Sequence, residues 1–533
     1  MAQVLGGAVT DPLVRQQEAW TFWSAGFALF VVALLPLLWL LARFIIEPGA
    51  FTVGALETFQ ASRLAALLVR SLILASAITL VACCLGVPLG FILAKTNVAG
   101  ARVVFLLHLF PLFLPPFLLG LGWFYLLGQQ GVIGTPVTAD LLFSEFGVIS
   151  VLSLAFAPVV TALVILGLRG ADPTLEEAAR AVAGSWRVAT RILLPAVGPN
   201  IALGALVVFA LAVSELGVPM FLRVDVYPAA VFARLGGIDY APSEALALAL
   251  PLLPIALLLL AAERRLCGRR SFATLGLRSD SGTSFSLGRW RMLVSAGCAF
   301  TAMLSIAPIV ALVYRARGDQ GFATVPDWIG NSLSNSLLSG SIAATGIVLI
   351  GVVLGHGLAR RRRGASVLDG AAVLAFMTPA VLFGLGLIAF WNRPALNFVY
   401  ASMGIIVAGF VGRYAIIGVR TVATVIAQSP AHLEESAAAA GAGYWRRLVR
   451  IVLPIHWRGL LAAWLLVLVF CLRDLETAVL FYPPGGEPLT VRIFTLEANG
   501  PEPLVAALAV VHTATTAAIL ALGAILLRLG ARR

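Results

Sequence analysis

Asp172-Pro-Thr-Leu-Glu-Glu-Ala-Ala-Arg-Ala-Val-Ala-Gly-Ser-Trp-Arg-Val-Ala-Thr-Arg-Ile-Leu-Leu-Pro195 is a polar island in a greasy chain, and it occurs twice. Its near copy is Ser429-Pro-Ala-His-Leu-Glu-Glu-Ser-Ala-Ala-Ala-Ala-Gly-Ala-Gly-Tyr-Trp-Arg-Arg-Leu-Val-Arg-Ile-Val-Leu-Pro454. Both close on Trp-Arg-x-x-x-Arg-Ile-x-Leu-Pro at a constant offset of 259 residues (445 − 186 and 454 − 195). Packing alone does not explain a charged pattern copied in this way. It reads as two matching handles offered to one partner, or to two identical ones.

The repetition extends outward from these loops. Leu85–Lys95 matches Ile350–Arg360 at offset 265, and Pro115–Gly122 matches Pro379–Gly386 at offset 264. Glu215-Leu216 matches Asp474-Leu475 at offset 259. Apolar runs at 21–42, 66–94, 104–127, 148–168, 199–222, 244–262, 292–314, 333–359, 366–390, 401–421, 459–480 and 503–527 are each long enough to span a bilayer. The run near the N-terminus is too long for a signal-peptide core and lacks a small-residue cleavage site, so it is expected to be retained. The expected fold is an all-α polytopic membrane protein of about twelve transmembrane helices, in two parallel six-helix halves. An even number of spans per half leaves both copies in the same orientation. The halves are 1–262, with a loop at 172–198, and 292–533, with a loop at 429–457. Between them 263–291 carries seven arginines and reads as a cytoplasmic linker.

Composition agrees. The chain is 60% hydrophobic and only 12% charged, far from the roughly 25% of soluble domains. A net charge of +12 raises the question of nucleic acid, but the basic residues gather in alternate loops. With the N-terminus inside, that asymmetry places both duplicated loops, and both termini, in the cytoplasm. No nucleic-acid partner is expected; membrane lipid is. The paired Gly86-x-x-x-Gly90 and Gly351-x-x-x-Gly355 predict close helix approach. The five cysteines (Cys83, Cys84, Cys267, Cys298 and Cys471) lie in or beside apolar runs and read as small buried hydrophobes. No metal-ligand or redox spacing is present, and no catalytic set.

Within each loop Asp172-Pro173 and Ser429-Pro430 read as helix starts, with a capping side chain before proline at the first helical position. Glu176 and Glu177, or Glu434 and Glu435, then lie near the positive end of the helix dipole. A break at Gly184 or Gly441 leads into a second segment carrying Trp186 and Arg187, or Trp445 and Arg446, residues suited to the headgroup layer. Glu-Ala-Ala, a glycine about six residues on and an Ile-x-Leu-Pro ending resemble the cytoplasmic loop of binding-protein-dependent ABC importer permeases. The resemblance covers roughly 66–260 and 333–527. It implies the type I importer permease fold and a short coupling helix per half that docks on an ATPase subunit. The coupling residues it implies are Glu176, Glu177, Ala178, Ala179, Gly184, Trp186 and Arg187 in one loop. In the other they are Glu434, Glu435, Ser436, Ala437, Gly441, Trp445 and Arg446. Two departures stand out: Ala183 occupies the expected glycine position in the first loop, and that loop is shorter between its prolines (22 residues against 24).

Lys95 is the only lysine and sits in no phosphate-binding loop of the Gly-x-x-x-x-Gly-Lys type. The resemblance therefore implies that two copies of a separate ATPase subunit bind ATP and Mg, with no cofactor in this chain. It also implies a periplasmic or lipid-anchored solute-binding protein and an inner-membrane location. Glu215, Arg413, Arg473, Asp474 and Glu476 lie within apolar runs, where charge is costly and functional or paired. Both readings stand for them, internal ion pairs or a polar lining of a translocation path. Fused two-half permeases resemble most the ferric-iron group, whose relatives handle thiamine, phosphonates and sugar phosphates. Iron(III) is the first expectation for the solute, with those as alternatives and alternating access as the mechanism. The rival, an ion-driven secondary transporter, leaves the two loops without a role.

Overall fold

A computed structural model of the chain describes residues 12–46, 61–170, 173–236, 242–266 and 285–529. Asp172, Cys267 and most of the 263–291 linker lie outside the described residues. The chain is an all-α polytopic membrane protein. Among the described residues nine helices are long and apolar enough to cross a bilayer, and three bent helix pairs raise the number to as many as twelve.

Helix α1 (Pro12–Leu29) passes through a π turn (Phe30–Leu34) into α2 (Leu35–Ile46). Next come α3 (Ala61–Lys95), α4 (Ala101–Leu109), α5 (Pro116–Leu127) and α6 (Glu145–Arg169). The first loop holds α7 (Pro173–Val182) and α8 (Ser185–Val188), followed by α9 (Gly198–Ser214), α10 (Gly217–Phe221) and α11 (Leu252–Leu266). The same order then recurs in α12 (Arg291–Arg315), α13 (Ser332–Ala359), α14 (Ala365–Met377), α15 (Ala380–Trp391) and α16 (Gly404–Ala427). The second loop holds α17 (His432–Ala439) and α18 (Tyr444–Arg447), before α19 (Leu453–Leu472) and α20 (Glu502–Leu529).

The segments 104–127 and 366–390, expected as straight spans, are broken. The axes turn by 109° between residues 101–113 and 116–127, and by 107° between 365–377 and 380–391. Proline explains both: Leu114, before Pro115, and Thr378, before Pro379, are extended (ψ 150° and 127°), because a following proline ring disfavours helical backbone. A gentler use of proline occurs three times. The π turns Phe30–Leu34, Ala189–Leu193 and Leu448–Val452 each end two residues before a proline, Pro36, Pro195 or Pro454. The missing N–H and the ring's clash with the preceding turn widen the helix locally instead of ending it.

The glycine pairs are where two long helices meet. A Cβ added at Gly86 would lie 2.7 Å from the Cβ of Val160, and one at Gly90 would lie 2.9 Å from the Thr161 carbonyl oxygen, both on α6. In the second repeat Gly351 faces the Gly418 carbonyl at 3.1 Å and Gly355 faces the Val419 carbonyl oxygen at 2.7 Å, both on α16. Backbone thus packs against backbone, the contact that drives helix association where lipid removes the hydrophobic incentive.

The first span of each repeat lies against the other repeat. Along α1 and α2, Phe22 meets Gly357, Leu368 meets Gly26, and the Val32 and Pro36 carbonyls meet Gly412 and Gly386. Reciprocally, Pro308 of α12 packs on Gly122 of α5. A charge network adds a further seam between repeats. Arg420 of α16 holds Asp369 of α14 at 2.8 and 2.9 Å and Glu263 of α11 at 2.8 Å, while Arg264 holds Asp369 at 3.0 Å.

Gly355→Ala should therefore lower the midpoint of thermal unfolding in detergent, at a cost of about 1–3 kcal/mol for overpacking. Gly346→Ala, whose nearest neighbour is 3.7 Å away, should leave the midpoint unchanged or raise it, since alanine favours helix. Equal effects at the two positions would show that the backbone contact does not limit stability.

Candidate functional site: two clamped loops and a buried charge cluster

Each loop hangs from the end of a long helix by a buried carboxylate. In the first, Lys95 at the last turn of α3 donates to Glu176 of α7 at 2.6 Å, and both side chains are buried. In the second, the guanidinium of Arg360, next after α13, grips Glu434 of α17 at 2.6 and 3.0 Å, and His356 reaches the other oxygen at 2.6 Å. Arg360 also donates to the Ser429 carbonyl at 3.1 Å, tying the loop's start to the same fork. Burial would raise the Glu434 carboxyl. The hydrogen bond and charge of His356, then those of Arg360, outweigh it and hold the group down to about 2. Lys95, His356 and Arg360 were not among the expected site residues. Lys95 and Arg360 occupy matching positions in the sequence repeat, and that was the available signal.

The clamp turns the other face of each short helix outward. Glu177 and Ala178 are exposed, as are Glu435 and Ser436, while Ala179 is buried and Ala437 half-buried. Beyond the breaks Trp186 is 79% exposed and Trp445 52% exposed, and Arg187 and Arg446 are exposed beside them. An indole left so open, next to an exposed arginine and on a loop that also exposes an acid, makes a surface suited to a protein partner or to headgroups. The sequence expectation treated the glutamates alike; the structure gives the first of each pair to the fold and leaves the second on the surface.

Two local expectations are corrected. Ser429 does not cap a helix: α17 starts only at His432, with Ala431 before it. The Ser429 hydroxyl instead donates to the Ile426 carbonyl at 3.0 Å and lies 2.9 Å from His456 Nε2. The reason is spacing, because Pro430 stands one residue further from Glu434 than Pro173 does from Glu176. Gly184 also pairs with Gly443 rather than Gly441. Both are extended (ψ 155° and 165°), begin the Trp-bearing turn, and stand 259 residues apart (443 − 184), as the tryptophans do. Gly441 has φ +82° and closes α17. The Ala442 N–H reaches the Ala437 carbonyl and the Gly441 N–H reaches the Ala438 carbonyl, both at 2.9 Å, a pairing that needs a left-handed residue.

The five intramembrane charges converge where α9 and α19 break. Glu215, Arg413, Arg473, Asp474 and Glu476 are all buried. Glu215 accepts the Val218 N–H in the first turn of α10 at 3.1 Å. Asp474 accepts the Thr477 and Ala478 N–H groups at 2.8 and 3.2 Å, so the repeat-equivalent acids do the same job. The other oxygen of Asp474 takes the Tyr414 hydroxyl at 2.5 Å and lies 3.8 Å from Arg413 Nε. Arg473 donates to the Leu112 carbonyl at the break between α4 and α5, so the cluster joins the two repeats. Among the described residues Arg413 Nε and Nη1 have no hydrogen-bond partner. Among the described residues no group of His, Cys, Asp and Glu is arranged to hold a metal ion.

No protein-family model matches the chain. It is 25% identical over 410 residues to the ferric transport system permease protein of Actinobacillus pleuropneumoniae, covering 70% of this chain and 59% of that one. It is 31% identical over 160 residues to the molybdate/tungstate transport system permease protein of Thermococcus kodakarensis, covering 30% of this chain and 60% of that one. Over 138 residues it is 32% identical to the molybdenum transport system permease protein of Escherichia coli K12, covering 25% of this chain and 60% of that one. The chain thus spans about three-fifths of the length of these relatives.

The clamp makes a pH prediction. Glu434 titrates near 4.3 when unfolded and at about 2 when folded. Its contribution is full above about pH 4.3 and is lost as pH falls toward 2. Glu434→Gln should lower the thermal midpoint at pH 7, by about 1–3 kcal/mol of stability, with the gap closing as pH falls below about 4. A gap independent of pH would mean that the clamp does not depend on the carboxylate charge.

Proposed function

We propose that this chain, which resembles the ABC importer permeases of the ferric-transport kind, is the transmembrane permease subunit of an ATP-driven importer. The observation that carries the proposal is the paired loops: two surfaces of one design, each with a free acid and an open tryptophan, on one membrane protein. Two copies of an ATPase subunit would dock there, binding the ATP and Mg that this chain does not. A solute-binding protein, periplasmic or lipid-anchored, would deliver the cargo on the opposite face. The loops and both termini then lie in the cytoplasm, and the membrane is the bacterial inner membrane. Glu177, Ala178, Trp186 and Arg187, with Glu435, Ser436, Trp445 and Arg446, are the contact residues. Glu176, Ala179 and Gly184, with Glu434, Ala437 and Gly441, shape the helices that present them.

The placement of the charges supports alternating access. ATP-driven closure of the ATPases draws the two loops together, and the broken helices and their cluster lie between the repeats that must part. Opening separates Arg473 from the Leu112 carbonyl. The newly exposed groups then line a path for a charged solute. Iron(III) is the first substrate, supported by the ferric permease that matches 70% of this chain. A second reading, an oxyanion, has its own support: relatives named for molybdate and molybdenum transport and two unsatisfied donors on Arg413.

The test is purification in mild detergent from the native host. An ATPase with a phosphate-binding loop should co-purify at two copies per permease, and replacing Glu435 and Gly441 together (Glu435→Ala with Gly441→Ala) should release it without unfolding the membrane region. Transport at full rate in that double variant would refute the coupling role. Arg473→Ala should impair transport while ATPase association persists; failed assembly would make Arg473 a structural brace only.

A further inference from the structure

Each loop is held from a second side, and the holding groups come from the segments that lead into the first span of the opposite repeat. On the second loop the brace is ionic: Glu18 of α1 pairs with Arg447 of α18, in a partly buried position. Val14, one turn earlier, packs on the cluster formed by Tyr444, Leu448 and Val452 of the loop with Val352, Val422 and Ile426. On the first loop the brace is aromatic. Phe285, six residues before α12, is buried with Ala179, Val188 and Leu193 of the loop. The Arg180 guanidinium of α7 lies 4.8 Å over its ring, and Phe91 stacks on it with centroids 6.0 Å apart. Backbone fixes the ring in place: the Phe285 N–H donates to the Lys95 carbonyl at 2.7 Å, the Leu287 N–H to Asn97 Oδ1 at 3.0 Å, and Arg291 Nε to the Asn97 carbonyl at 2.9 Å.

These two contacts are the same device built from different chemistry. Glu18 lies in the helix that begins the first span, and Phe285 lies in the segment leading into α12. Both spans lie against the repeat to which they do not belong. We propose that these lead-in segments position the loops in trans, with Glu18 and Phe285 as positioning residues, so that each loop is tied to a span of both repeats. A loop displaced by its partner then pulls on the crossed span of the opposite repeat. That consequence rests on the loops being ATPase docking sites, but the braces themselves are properties of this chain alone. They also differ in chemistry. The charged brace weakens with salt as far as it is open to solvent, whereas the aromatic one is enclosed and does not.

Hydrogen–deuterium exchange of the full chain in lipid nanodiscs, without any partner, separates the outcomes. Phe285→Ala should speed exchange of amides 176–193 by about tenfold, the scale of a lost buried cation–π contact, and leave 434–452 unchanged. Glu18→Gln should do the reverse, several-fold. Because Phe285→Ala could disturb folding, Arg180→Gln is the milder second variant: the ring stays seated, and exchange should still rise in the first loop alone. Phe285→Trp should retain protection, and Glu18→Arg combined with Arg447→Glu should restore it. Exchange that rises in both loops together, or in neither, overturns the trans brace. Braces that behave as expected in a chain with which no ATPase associates would refute the docking role and leave the brace intact. Loss of loop selectivity in a chain that does bind an ATPase would refute the brace alone.

Discussion

A carboxylate withdrawn from water must be met by positive charge, and this one requirement sets the form of both loops. Glu176 and Glu434 are drawn to the bases at the ends of α3 and α13. Each pairing fixes the rotation of a short helix that has little stability of its own. Rotation decides which residues face out, so the position of one buried acid determines the surface that Glu177, Trp186, Glu435 and Trp445 present. Breaking such a pair leaves an uncompensated charge, which costs more than the pair contributes. Each loop is therefore held to the end of a long repeated helix, α3 or α13.

The same electrostatic demand recurs deeper in the bilayer with a different answer. Where α9 and α19 stop, backbone groups lose their helical partners in a medium that offers no water. Glu215 and Asp474 accept those N–H groups, and Tyr414 and Arg413 gather on Asp474 in turn. The charges that look functional in the sequence thus also have a structural duty.

What could be read from sequence follows the strength of each signal. The spans stand out because twenty apolar residues have few soluble explanations. The loops stand out because polar repetition in an apolar chain is rare. The glycine pairs were legible for a similar reason, recurring at one register. The clamps were not: Lys95 and Arg360 look like ordinary positive-inside residues, and only coordinates bring them to the glutamates. The breaks at Pro115 and Pro379 were visible as prolines but were drawn as straight spans, since proline is tolerated in membrane helices. The crossing of α1 and α12 to the opposite repeat leaves no mark at all, because a helix face that meets protein is as apolar as one that meets lipid.

That crossing bears on how the protein is made. Residues 12–46 leave the ribosome well before 332–427 and the second loop, whose surfaces they cover. The first span must therefore wait in the bilayer, its packing face against lipid, until most of the chain has been synthesised. Long-range closure of this kind is slow and exposes the waiting segment to wrong partners. Joining both repeats in one polypeptide keeps the correct partner on the same chain and so shortens the search. Continuity of the chain then serves assembly.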